Sequence, residues 1–467
     1  MRLITVTQSV CAECGQPAPA KVVEDGGNVH MLKFCPEHGE SRAFIRSDAD
    51  DYMRTLRYVK PASVPMAAHG DASAPCPDGC GYCSRHEQHL CMPIIEITSR
   101  CDLACPICIN ESGGPAGSAW DMTPDEFGGI LDRLVAAEGK IDLLNISGGE
   151  PLLHQDILRI VDMALAREAI VRVSISTNGL RLLRNPALVS ELKARNVVVS
   201  LQLDGFSDEV CVKLRGRPLA YEKREILDTL KDADVTTSLV MTAATGINDD
   251  RFPEILGCLF GYDNIVSLMV QPLAYTGRAK DMPGKERRLT IPDITRLIGE
   301  AGVPFVSRED FIPLPCSHPL CFSLAFYLMT VGGQAVAFAR LADMDGMLDS
   351  LANRVVYGLD PDEHARLRQM VYDLWSGPVA AAPESLAVLS TLRGILREMS
   401  EAPACCFDPR AAFTMMERKV KSIFIHAFQD RDTFDIARVR RCCQGYPQPD
   451  GRVLPACVRN NTPRFMG

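Results

Sequence analysis

The segment ITSRCDLACPICIN carries Cys101, Cys105 and Cys108 on one short loop, spaced C-x3-C-x2-C. Cysteine thiolate is the ordinary ligand of iron–sulfur clusters, and three on one loop can hold three irons of a cubane. The motif offers no fourth protein ligand, so one iron stays open to a small molecule. Further along, the strand-like run IDLLNIS ends in Gly148-Gly149-Glu150-Pro151. Paired glycines at a strand end permit a backbone approach that a side chain would block. For the cysteine motif taken alone, a zinc site is the plain alternative.

The chain holds nineteen cysteines. Their tight clusters, in a long chain without an export-like start, read as metal sites rather than disulfides. Cys11-x2-Cys14 is followed after twenty residues by Cys35-x2-His38, a four-ligand pattern for zinc or mononuclear iron. It serves either as a structural knuckle or in electron delivery. Cys76-x3-Cys80-x2-Cys83-x7-Cys91 supplies four thiolates, enough for an auxiliary [4Fe–4S] cluster, with zinc as the alternative. His86 and His89 are expected beside that site rather than on the metal. Near the C-terminus, Cys316, Cys321, one of the adjacent pair Cys442 and Cys443, and Cys457 are the set for a second auxiliary cluster. Cys405 and Cys406 are another source of ligands or a packed pair. Cys211 and Cys258 lie alone in apolar segments and read as core residues.

The elements that must position these groups alternate between strand and helix. Strand-like runs at 92–98, 141–147, 171–177, 197–204, 236–244 and 265–274 are separated by helical patterns at 123–139, 152–169, 186–196, 221–234 and 251–260. Thr123 stands as the N-cap of the first of these helices, and Gly139 as its stop. Buried strands with helices between them predict an α/β fold with a parallel sheet, a partial (β/α)6 barrel. The cysteine loop then follows the first strand, at the carboxyl end where barrel active sites sit. The division expected is a metal module at 1–70, a cysteine segment at 71–91, a barrel at 92–280 and a mainly helical region at 281–467. PASVPMAAHGDASAP reads as a linker before the cysteine segment.

With these motifs in this order, the chain resembles the radical S-adenosylmethionine (SAM) superfamily. The resemblance implies that the open iron chelates SAM, whose reductive cleavage yields a 5′-deoxyadenosyl radical able to take hydrogen from an unactivated C–H bond. It makes Cys101, Cys105 and Cys108 the catalytic cluster ligands and the GGEP residues 148–151 the SAM amino site. It further makes Ser176, Thr177, Asn178, Gln202 and Asp204, at the ends of the third and fourth strands, contacts for the SAM ribose and carboxylate. Ile107 would lie against the adenine, where the superfamily usually has an aromatic residue. The outer motifs CPEHG, CPDGCGYC, LQLDG, QPLAYTGRA, CSHPLC and PDGRVLPAC resemble a class D branch. That branch contains enzymes that methylate a pterin precursor and a tetraether lipid synthase. It implies a methylation or a carbon–carbon coupling on a pterin-like or lipid substrate. The rivals are a peptide-modifying maturase and a non-catalytic iron–sulfur or zinc electron carrier.

A net charge of −9 argues against a nucleic-acid partner. The apolar share of 46% and charged share of 23% are those of a folded soluble chain. No run of about 18 apolar residues predicts a membrane span, and the N-terminus does not read as a signal peptide, so a cytoplasmic location is expected. The expected partners are the substrate and an electron donor such as a flavodoxin or ferredoxin. FTMMERKVKSIFIHAFQ (413–429) reads as a helix, either packed in the core or amphipathic and in peripheral contact with a membrane.

Overall fold

The computed structural model describes the chain apart from residues 60, 70–75, 78–79, 114–118, 315–316, 332, 342–382, 402–409, 411–413, 415–416 and 462–467. Cys316, Cys405, Cys406 and much of the 340–400 stretch therefore lie outside the described residues.

Four antiparallel strands open the chain: β1 (Arg2–Val10), β2 (Pro17–Asp25), β3 (Asn28–Cys35) and β4 (Gly39–Arg46). Alternation in β2 and β3 puts Ala20, Val22 and Met31 on one face, where they pack against Ala49 and Tyr52 of the helix that follows. The buried Lys33 ties this module to the far end of the chain, donating to the carbonyls of Val10 at 3.1 Å and Arg431 at 2.6 Å.

The centre is a run of six parallel strands: β5 (Met92–Glu96), β6 (Ile141–Ser147), β7 (Ile170–Thr177), β8 (Val198–Gln202), β9 (Thr237–Ala243) and β10 (Ile265–Pro272). Helices join them as the alternating pattern requires. The first spans Pro124–Glu138 and starts with a full capping box: Thr123 N donates to Glu126 Oε2 at 2.8 Å and Glu126 N to Thr123 Oγ1 at 3.2 Å. Such a cap is worth about 1 kcal/mol.

The region after residue 280 holds helices, as at Pro383–Glu401, and also strands that the expectation of a mainly helical extension did not include. It adds β11 (Ile312–Pro313), β12 (Phe322–Met329), β13 (Ala335–Ala337), β14 (Val420–His426), β15 (Gln444–Pro447) and β16 (Val453–Pro455) to one twelve-stranded sheet. β14 lies parallel to β10 and β15 parallel to β5, so both edges of the six-strand run are covered. β12 then pairs antiparallel with β14.

Within the segment read as a helix at 413–429, Val420–His426 is the buried strand β14. VKSIFIH is rich in β-branched and aromatic residues, and β propensity with two paired neighbours overrides the scattered basic residues. Lys421 is buried by donating to the carbonyls of Leu259 and Tyr262 at 2.6 Å and Ile265 at 2.9 Å. It satisfies the end of the helix Phe252–Gly261 and presents nothing to a membrane. Among the described residues no helix is long and apolar enough to cross a membrane.

Because β10 and β5 become open parallel edges without β14 and β15, the fragment 92–280 is expected to aggregate when expressed alone. A soluble monomer of that fragment with the far-UV spectrum of a folded α/β domain would contradict this edge-covering role.

Candidate active site

The cysteine loop leaves the carboxyl end of β5 and is pinned by backbone hydrogen bonds and by side chains from neighbouring strand ends. Gly149 N donates to Thr98 O and Glu150 N to Arg100 O, each at 2.7 Å. A Cβ on Gly148 would lie 2.4 Å from Thr98 O, and one on Gly149 2.2 Å from Arg100 O, so both positions exclude any side chain. The glycines therefore let the end of β6 close on residues 98–100. Asn110 Nδ2 donates to Gly148 O at 2.7 Å, binding the far end of the loop to the same turn.

Glu150 is 1% exposed and its carboxylate is fully engaged inside the protein. It accepts from Thr177 Oγ1 at 2.7 Å, Asn178 N at 2.8 Å and Leu152 N at 3.1 Å, which ties the ends of β6 and β7 together. Burial pushes its carboxyl up to about 7 against those donors. Asn178 Nδ2 donates to Asp102 Oδ1 at 2.7 Å, so β7 also grips the cysteine loop.

A second clamp comes from the motif QPLAYTGRA. Arg278 N donates to Cys108 O at 3.1 Å and Nη1 to Cys105 O at 2.9 Å, and Nη2 bonds Ser112 O. Gly277 makes the approach feasible, since a Cβ there would stand 2.4 Å from Cys108 O.

Beneath the loop a cavity of about 450 Å³ runs down the inside of the sheet. Its upper wall holds Cys101, Cys105, Ile107, Cys108, Gly148, Gly149 and Glu150. Ser176, Thr177, Asn178 and Gln202 also face it, whereas Pro151 and Asp204 are not among its lining residues. Asp204 serves the cavity at one remove. It holds Arg215 by a fork, Nε at 2.6 Å and Nη2 at 2.9 Å, and Arg215 lines the cavity. Burial raises the thiols of Cys101, to about 12, and Cys105; the Arg215 guanidinium opposes the rise at Cys105. The floor is closed by Arg172 on β7 and Glu417 just before β14, paired at 2.6 and 3.2 Å.

Arg215 and Lys223 were not legible as site residues. Lys223, 1% exposed, donates at 2.7 Å to Asn178 O, Gln202 O and Gln202 Oε1, bridging the ends of β7 and β8. The only sequence signal was a basic residue shortly after LQLDG, a pattern common on any solvated helix.

The outer cysteines fall into two places. Cys11, Cys14, Cys35 and His38 bring their ligand atoms within 4.8 Å of one another, the one such group among the described residues. A hydrogen bond from His38 holds the Cys35 thiol down at about 6, poised to ligate. The sets Cys76–Cys91 and Cys321–Cys457, expected to form separate sites, meet along the β5–β15 pairing. Cys80 shares an apolar cluster with Cys457, and Cys91 shares another with Cys321 and Cys443. Parallel pairing of Gln444 with Met92 sets Cys443 beside Cys91. Cys442 instead lies in a cluster with Ile94, Tyr446 and Ala456. Cys211 and Cys258 are buried in the main core, as expected. His89 bridges Cys91 Sγ at 3.4 Å and Glu138 Oε2 at 3.4 Å, and is thus beside rather than within a ligand set.

Residues 95–259 match the radical SAM superfamily, and residues 3–47 match an N-terminal zinc ribbon domain named HMPTM. The chain is a radical SAM enzyme. It is 26% identical to 7,8-dihydro-6-hydroxymethylpterin dimethyltransferase of Methanocaldococcus jannaschii over 98% of this chain and 94% of that one. It is 30% identical to the mycofactocin maturase MftC of Mycolicibacterium smegmatis, over only 40% of this chain and 45% of the relative. A solved radical SAM methyltransferase from Sphaerobacter thermophilus aligns over 65% of this chain and 75% of its own at TM-score 0.34 and 15% identity.

The superfamily implies a [4Fe–4S] cluster and SAM, and the zinc ribbon fits zinc or iron. The donor chemistry at the loop agrees: three cysteines at one cavity wall, beside a guanidinium and a glycine turn, suit a three-thiolate cubane with an anionic ligand nearby.

Arg278→Ala is expected to lower the iron retained after reconstitution and to speed its loss to a chelator, with Arg278→Lys intermediate; retention equal to the parent would remove the clamp. Cys14→Ser should cost one zinc or iron equivalent by metal analysis while sparing cluster sulfide, and an unchanged metal count would count against the four-ligand assignment.

Proposed function

We propose that this radical SAM enzyme functionalises an unactivated carbon of a small, polar, pterin-like substrate by a methylation-type reaction. Cys101, Cys105 and Cys108 are the ligands of its catalytic cluster. The observation that carries the reading is the character of the cavity beneath the cysteine loop. Its lining is mainly apolar, with Asn145, Ser174, Ser200, Gln202, Ser238 and Thr242 set on the walls of β6 to β9, and its size is that of a small-molecule site. The near full-length similarity to a pterin dimethyltransferase supports the same substrate class.

When bound, the cluster and SAM supply a 5′-deoxyadenosyl radical for hydrogen-atom abstraction. The chain's own residues hold and orient. Arg278, Gly277 and Asn110 fix the cysteine loop to the strand ends. Asp204 aims Arg215 at the cavity beside Cys105, where its guanidinium suits the SAM carboxylate. Ile107 and the backbone at Gly148 form the apolar and close-approach surfaces for the nucleoside. The Arg172–Glu417 pair shuts the lower end and keeps bulk water from the reacting carbon. The cysteines along β5 and β15 are positioned to hold auxiliary clusters that pass electrons between the surface and the cavity. A peptide-modifying maturase remains the second reading. It is disfavoured because the MftC similarity covers only 40% of this chain, against 98% for the pterin dimethyltransferase.

Anaerobic reconstitution with dithionite and SAM is expected to give 5′-deoxyadenosine. Cys105→Ala should abolish it, and formation at the parent's rate would sink the assignment. With 7,8-dihydro-6-hydroxymethylpterin added, mass spectrometry is expected to show methyl addition. Cys91→Ser and Cys457→Ser should keep the uncoupled cleavage and stop that product. A product from both variants would show that the auxiliary cysteines are not needed.

A further inference from the structure

Five adjacent parallel strands carry a serine at the same register level. Ser176 of β7 pairs with Ser200 of β8, Ser200 with Ser238 of β9, Ser238 with Ser267 of β10, and Ser267 with Ser422 of β14. All five line the cavity. Barrel interiors packed for stability are filled by bulky Val, Ile and Leu, so a continuous belt of serines leaves space and hydroxyls where a core would have neither. Three of the hydroxyls are used internally: Ser267 Oγ donates to Ser238 Oγ at 2.6 Å and Ser176 Oγ to Asn145 Oδ1 at 3.0 Å. Ser200 and Ser422 have no such bond among the described residues. Ser422 is 8% exposed and lines the cavity, so its hydroxyl is available to a bound molecule.

We infer that this belt is the substrate-recognition wall, built for an uncharged planar heterocycle that carries both N–H and C=O groups along one edge. The inference rests on the small-polar-substrate reading above and names the residues that impose it. Each hydroxyl can donate once and accept twice, so the belt matches an edge with mixed donors and acceptors and offers nothing to a formal charge. Beyond Ser422 the wall turns aromatic. Its cross-strand partner Phe326 meets Phe424 edge to face, with centroids 6.0 Å apart. Such a surface takes the face of a ring while the belt takes its edge. The aromatic wall and the last serine both come from β12 and β14, outside the 95–259 region that matches the superfamily. Substrate choice therefore lies partly in the C-terminal strands, while the cluster loop lies in the common core.

The test uses the full-length reconstituted enzyme without SAM and the intrinsic fluorescence of 6-hydroxymethylpterin as the binding signal. Ser200→Ala and Ser422→Ala are each expected to weaken binding roughly tenfold, and the double variant about a hundredfold. Iron content and melting temperature serve as the folding control. Ser200→Thr, which keeps the hydroxyl, should bind close to the parent. If the double variant does not fold, each single variant carries the same expectation. A parent that binds the pterin and a double variant that binds it equally well overturns the belt while leaving the pterin-like reading standing. A parent that takes no pterin, whether or not it takes a fatty-acyl probe instead, overturns the heterocycle reading and the belt together.

Discussion

Open edges of a parallel sheet invite mispairing, and the way this chain covers them organises much of the molecule. β14 closes against β10 and β15 against β5, so these late strands are built into the central fold. Each covering strand brings chemistry with it. β14 carries Ser422 and Phe424 into the cavity, and the residue at its entrance, Glu417, seals the floor through Arg172. β15 follows Cys442 and Cys443 and lays them beside the cysteines that precede β5. One packing requirement thus accounts for the lower half of the active cavity and for the meeting of the early and late cysteine sets.

The upper half depends on backbone pairing. The cysteine loop is held by carbonyl and amide groups of residues 98–100, 148–150 and 277–278, and little of that grip comes from the side chains of its own cysteines. Hydrogen bonds between backbone groups fix three thiol positions relative to strand ends, while the thiols keep their ligand capacity. Around them the buried charges are satisfied in pairs or by donors: Asp204 with Arg215, Arg172 with Glu417, Glu150 with three donors. Leaving one partner alone would cost several kcal/mol, so these pairs specify geometry more than they add stability.

Similarity to known proteins divides along the same line. The superfamily match stops at residue 259, where the helix after β9 ends, and the pterin dimethyltransferase match continues through almost the whole chain. The cysteine loop lies within the matched region, whereas β10, β12 and β14, which also line the cavity, lie beyond it.

The sequence by itself determined the elements whose signals are local. Cysteine spacing marks the loop and the N-terminal four-ligand site, because ligands on one short segment need no long-range folding to meet. Strand–helix alternation marked β5 to β10 within a few residues, since β-branched and apolar runs bounded by helical patterns are a local signal, and Thr123 marked a helix start. The tertiary structure alone decided three things. It made VKSIFIH a strand, because an available sheet edge outweighs the basic residues around that segment. It set the late cysteines beside the early ones, since register between strands far apart in the chain leaves no trace in spacing. And it joined Ser176 to four serines unremarked in their own strands, for only lateral pairing brings residues 176, 200, 238, 267 and 422 to one level.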